Sequence, residues 1–208
     1  MNFLSEKKQS GFTIVEVMIA MAIFTVIVTI GIGAVLDATT QHARAQNIRT
    51  IMDSMNFVME DMSRNIRLGS ELRCVTPAND VPYPNYVDSS SGKVITADCP
   101  TTGASAMPYG SNKIIFKSVD GATRLTYIIS QTDGVIKQIG DDPNTAKSIT
   151  PPEISMDMQR SGFTVRGSSD SDQKQPLVTI RLAGTIHFKD GDSNFAIETT
   201  VVLRALDS

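Results

Sequence analysis

The sequence predicts an α+β fold: one long amino-terminal helix packed against a carboxy-terminal antiparallel β-sheet domain. Three observations carry this. The 19 basic and 22 acidic residues of the 208-residue chain leave no charge at all between Val17 and Leu36. Beyond that gap neither Pro nor Gly occurs from Asp37 to Leu68, and apolar residues recur there at steps of three and four. From Lys113 onward, short runs rich in β-branched and aromatic residues alternate with Asp-Gly pairs and other turn residues. Composition is otherwise ordinary, with 41% hydrophobic and 20% charged residues, which excludes wholesale disorder and a disulfide-dense miniprotein. A net charge of −3 gives no general attraction to nucleic acid, and none is expected as a partner.

The first element begins at Phe12 and reads FTIVEVMIAMAIFTVIVTIGIGAVL to Leu36. As a helix this run spans about 37 Å, enough for a hydrocarbon core of about 30 Å. A secretory signal peptide has an apolar region of only about 7 to 15 residues, so the resemblance of Ala20-Met21-Ala22 to a cleavage site is set aside. The leader MNFLSEKKQSG carries Lys7 and Lys8 as its cations, which predicts a cytoplasmic leader and an extracytoplasmic remainder. Glu16 is the one acid inside the apolar stretch. A carboxylate in hydrocarbon costs at least about 2 to 3 kcal/mol, so Glu16 either pairs with a cation or sits close enough to the interface to stay wet.

Gly11-Phe12-Thr13-Ile14-Val15-Glu16, after a short basic leader and before an uninterrupted apolar run, resembles the amino-terminal signature of the type IV pilin family, which includes pilins and the pseudopilins of type II secretion. The resemblance covers roughly the first 36 residues. It implies cleavage by a prepilin peptidase between Gly11 and Phe12, N-methylation of the Phe12 amine, and pairing of Glu16 with the amine of a neighbouring subunit during assembly. The physics agrees, because a buried acid needs a cation and cleavage creates one on the same helix. The implied partners are other pilin or pseudopilin subunits, the peptidase, an inner-membrane assembly platform and, before assembly, membrane lipid. The implied location is the inner membrane, single-pass, then a pilus or pseudopilus. Glu16 also argues against resemblance to the K-type pseudopilins in particular, which generally lack this acid. The rival reading is a single-pass membrane-anchored extracytoplasmic binding domain, an adhesin or DNA receptor.

The helix is expected to continue past the membrane. Ile48, Ile51, Met52, Met55, Val58, Met59, Met62 and Ile66 fall on one helical face, while Arg49, Asp53, Glu60, Asp61, Arg64 and Arg67 fall mostly off it. The stripe predicts the surface on which the carboxy-terminal domain packs, and Gly69 reads as the helix C-cap. The predicted organisation is therefore a leader over 1–11, a membrane or filament-core helix over 12–36, its amphipathic continuation over 37–69, and a loop-rich region with a β domain over 70–208. Gly31 and Gly33 weaken a helix interior in water but are common in membrane helices.

Residues 70–112 are rich in Pro, Ser, Thr, Asn and Gly and predict a long loop region, with one short strand near Lys93 to Thr96. Cys74 and Cys99 bracket it; outside the cytoplasm a disulfide between them is expected over a metal site. Strands are predicted at Lys113 to Val119, Arg124 to Ser130, Val135 to Ile139, Glu153 to Met158, Gly162 to Arg166, Leu177 to Phe188 and Phe195 to Arg204, with Asp120-Gly121 and Asp133-Gly134 as hairpin turns. One face of their sheet is expected on the helix. This order resembles the minor pilins and J-type pseudopilins, whose sheet packs on the second half of the helix.

Catalytic chemistry is not expected. His42 and His187 have no Ser or Cys motif arranged around them, and there is no G-x-S-x-G, H-E-x-x-H or phosphate-binding loop. Asp190, Asp192 and Asn194 stand at alternate positions, as at the start of a calcium loop, but Phe195 occupies the place of the required Gly. A turn is the expectation there, with no cofactor and calcium as the one candidate ion. Arg64, Arg67 and Arg73 read as ordinary solvated charge near the helix end.

Overall fold

The computed structural model describes residues 11–75, 88–91, 95–99, 109–168, 174–188 and 191–204. The chain divides into two compact units, Met1–Asn47 and Ile48–Ser208, and its long helix, α1 (Ile14–Leu68), contributes to both.

In the first unit, Thr13 starts the helix. Its hydroxyl accepts the Glu16 N–H at 3.3 Å and its carbonyl accepts the Val17 N–H at 3.2 Å. A Thr followed three residues later by Glu is the sequence form of a capping box, and the carboxylate lies in the first turn, where the helix dipole favours negative charge. Thr25 and Thr29 donate back to the carbonyls of Met21 and Thr25, each at 2.8 Å, so neither hydroxyl needs water within the apolar run. The helix passes through Gly31 and Gly33 without interruption.

In the second unit the rest of α1 is followed, among the described residues, by nine strands. β1 (Ser70–Val75), β2 (Lys113–Lys117), β3 (Arg124–Ser130), β4 (Gly134–Ile139) and β5 (Lys147–Ser148) form an antiparallel sheet in that order. In a second antiparallel sheet, β8 (Leu177–Ile186) is central: β9 (Ser193–Val202) pairs with its whole length, while β6 (Ile154–Met156) and β7 (Gly162–Arg166) share its other edge. The strands expected from Lys113 onward are all present to within two residues at most ends, but they divide between two sheets instead of one. The expected loop over 70–112 is also corrected, since β1 follows the helix after a single residue and pairs with β2. Leu72 and Cys74 alternate inward on β1, and both are fully buried. Of the expected short strand, Lys93 and Val94 lie outside the described residues; nearby Ala97 bridges to Arg73 in parallel. The Cys99 N–H donates to Val165 at 3.1 Å, so residues 97–99 join β1 to β7.

The helical stripe packs as its spacing predicts. Ile51, Met55, Val58, Met59, Met62 and Ile66 are buried in one core with Phe116, Tyr127, Ile129, Phe163 and Ile180 from both sheets. Each such side chain contributes about 1.5 to 3 kcal/mol of burial energy. Gly69 ends the helix for a different reason than a left-handed cap. A Cβ there would lie 2.5 Å from Phe116 Cδ2 and 3.0 Å from the Lys117 carbonyl, so only glycine lets β2 pass this close. The left-handed residue is Glu71, with φ of 54°, at the irregularity in β1 between Ser70 and Arg73.

A polar clamp fixes the helix to the first sheet. Tyr127 donates to Asp61 Oδ2 at 2.8 Å, Asn65 Nδ2 donates to Asp61 Oδ1 at 3.0 Å and to the Tyr127 hydroxyl at 2.8 Å, and Lys137 Nζ reaches both Asp61 oxygens at 3.0 and 2.9 Å. Burial, reinforced by the Asp61 hydrogen bond and charge, pushes the Tyr127 phenol far above its ordinary value.

Candidate functional site: the amino-terminal segment

Gly11, Phe12 and Thr13 precede the first helical turn, and all three are exposed. Phe12 is 81% exposed. Phe12, Glu16, Val17, Ala20, Met21 and Phe24 lie along one surface of the segment, so the carboxyl of Glu16 borders an otherwise apolar strip. Exposure is not confined to that strip. From Phe12 to Leu36 the apolar side chains are exposed around the whole circumference, Ile14, Phe24 and Ile30 being 82%, 65% and 68% open. A helix that is apolar all round is a membrane span or the inside of an assembly, because water penalises the exposed surface in every direction. Among the described residues α1 is the one helix long and apolar enough to cross a membrane.

The segment thus combines an accessible backbone at Gly11–Phe12, a capped helix start, one carboxyl and an unpartnered apolar cylinder. A profile for the prokaryotic N-terminal methylation motif matches residues 7–35. The chain carries that motif. No curated protein and no solved structure matches the chain. The match supports a type IV pilin-type protein, processed and methylated at its amino terminus, and its apolar helix fits a membrane-anchored subunit that assembles with others of its kind. Proteins of that kind are structural.

The other residues singled out from sequence are dispersed through the second unit. Cys74 and Cys99 are joined by a disulfide, 25 residues apart in sequence. Asp190 lies outside the described residues. Asp192 is engaged by His187 and Asn194 accepts the Thr185 hydroxyl at 3.0 Å. Arg73 is not the solvated charge expected: it is 8% exposed, donates from Nη1 to the Ile95 carbonyl at 2.8 Å, and desolvation lowers its pKa.

Sequence reasoning missed one constellation. Ser155 Oγ lies 2.9 Å from His187 Nε2, and His187 Nδ1 lies 3.0 Å from Asp192 Oδ1. The reading that His187 has no serine arranged around it is therefore corrected. His187 and Asp192 flank one hairpin, which sequence could have suggested. Ser155 is 32 residues away from His187 and arrives only through the pairing of β6 with β8.

Proposed function

We propose that this chain is a minor pilin or pseudopilin, a structural subunit cleaved between Gly11 and Phe12, N-methylated at Phe12, and assembled through its apolar helix into a pilus or pseudopilus. The methylation motif over residues 7–35 carries the reading, because it coincides with the helical segment whose apolar side chains are exposed all round. Before assembly lipid covers that surface. Afterwards copies of the same helix do, and the gain comes from close packing and charge pairing, since lipid and protein are equally apolar. The pairing is supplied by Glu16 and the new amine of Phe12 on a neighbour, two charges that are each costly alone in hydrocarbon. Placement of the second unit outside the cytoplasm is supported by the leader lysines and by a Cys74–Cys99 bridge of the kind that persists in oxidising compartments.

The test is the intact mass and amino-terminal sequence of membrane-extracted protein, made with and without a prepilin peptidase. The expected product begins at Phe12 and carries one extra methyl. Glu16→Gln is expected to be cleaved normally yet to be lost from sheared filaments. An uncut Met1 beside an active peptidase would overturn the reading, and so would undiminished assembly of Glu16→Gln.

A further inference from the structure

We propose that Ser155 is a base-activated nucleophile that accepts the acyl group of small carboxylic esters and passes it to water, a second activity independent of filament assembly. The two contacts of His187 carry the inference. An ionised Asp192 can only accept, so it fixes the proton of His187 on Nδ1, and Nε2 is left to accept from the Ser155 hydroxyl. Both distances, 3.0 and 2.9 Å, lie within the reach required between orienter, base and nucleophile.

The fold builds this arrangement from strand register. Ser155 pairs with Thr185, and Thr185 pairs with Asn194, which places the three in a row on one face across β6, β8 and β9. His187 lies two residues beyond Thr185 on that same face, past the end of β8, and Asp192 stands opposite it just before β9. Gly184 permits the approach of β6, because a Cβ there would lie 2.2 Å from the Ser155 carbonyl. The Thr185 hydroxyl holds the oxygen of the Asn194 amide, leaving Asn194 Nδ2 as a donor on this face for the oxyanion that forms when a carbonyl is attacked. The side chains of His187 and Asp192 are 53% and 59% exposed, so substrate reaches them directly.

The chemistry closes. Ser155 Oγ attacks the ester carbonyl while its proton passes to His187 Nε2; the carbon–alkoxy bond breaks, and the leaving alcohol takes that proton. Water then repeats the sequence on the acyl-serine, releasing the carboxylic acid and restoring the Ser155 hydroxyl.

The full chain in detergent is treated with an alkyl fluorophosphonate, which phosphonylates an activated serine with loss of fluoride, and the label is located by peptide mass. Hydrolysis of p-nitrophenyl acetate is followed in parallel. Label on Ser155 is expected, falling at least about 100-fold in His187→Gln and at least about tenfold in Asp192→Asn, with ester hydrolysis lost in Ser155→Ala. A Ser155→Cys variant gives an independent reading, since Cys74 and Cys99 are bridged and the introduced thiol is the one available for alkylation. It is expected to react with iodoacetamide at neutral pH at least about tenfold faster than free cysteine. An unlabelled Ser155, a labelling rate unchanged in His187→Gln, or an introduced thiol no faster than free cysteine would each overturn the proposal.

Discussion

Tyr127 illustrates what a single side chain decides in this protein. Its ring is fully buried and stacks on Phe116, with centroids 5.9 Å apart, yet its hydroxyl must find partners at the helix. Asp61 and Asn65 supply them, and Lys137 balances the charge of Asp61. Because burial and Asp61 raise the phenol pKa in the folded state, the protonated form is retained there when an unfolded tyrosine has already ionised. The stability this contributes is complete below the ordinary tyrosine value of about 10 and is lost as pH rises above it. Urea midpoints between about pH 8 and pH 11 should therefore fall more steeply for the unaltered chain than for Tyr127→Phe. At neutral pH the same substitution should cost about 1 to 3 kcal/mol, since it removes one donor from Asp61. On the sequence, Asp61 reads only as a residue off the apolar stripe, and nothing local marks its partner on β3.

At the scale of elements, the helix stripe and the β-rich runs are legible because their periods come from geometry that is local to each element. Ile51, Met55, Val58, Met59, Met62 and Ile66 are buried as their spacing requires, with Ile48 and Met52 half-buried beside them, and strands β3 and β7 keep their predicted limits. β1 is not legible, since Ser70 to Val75 follow the helix after Gly69 alone and sit among loop-forming residues; their extended form is set by the edge that β2 offers. The disulfide acts at this scale too. It ties β1 to residues 97–99, which also bond to β7, and it closes a loop spanning 25 residues. Such a loop is worth about 3 kcal/mol of unfolded-chain entropy. The Cys74→Ser, Cys99→Ser double variant should lose roughly that much in urea unfolding, while a reductant should leave its midpoint unmoved.

For the molecule as a whole, the division at Asn47 and Ile48 separates two kinds of stability. Among the described residues the hydrophobic core lies in the second unit, including the buried part of α1. A fragment of residues 48–208 should therefore melt cooperatively without detergent, within a few degrees of the full chain as followed by circular dichroism. Among the described residues the first unit buries no apolar side chain, and its exposed surface requires lipid or other copies to cover it.

The sequence by itself determined the membrane-length helix, its acid-bearing start, the motif ahead of it and the order of most strands. These depend on composition and period within one short window. Only the tertiary structure decided that the strands form two sheets, that β1 exists, that Gly69 is required by Phe116, and that Ser155 meets His187. Each of those depends on residues far apart in the chain, and their meeting is fixed by strand register and packing, which local sequence does not encode.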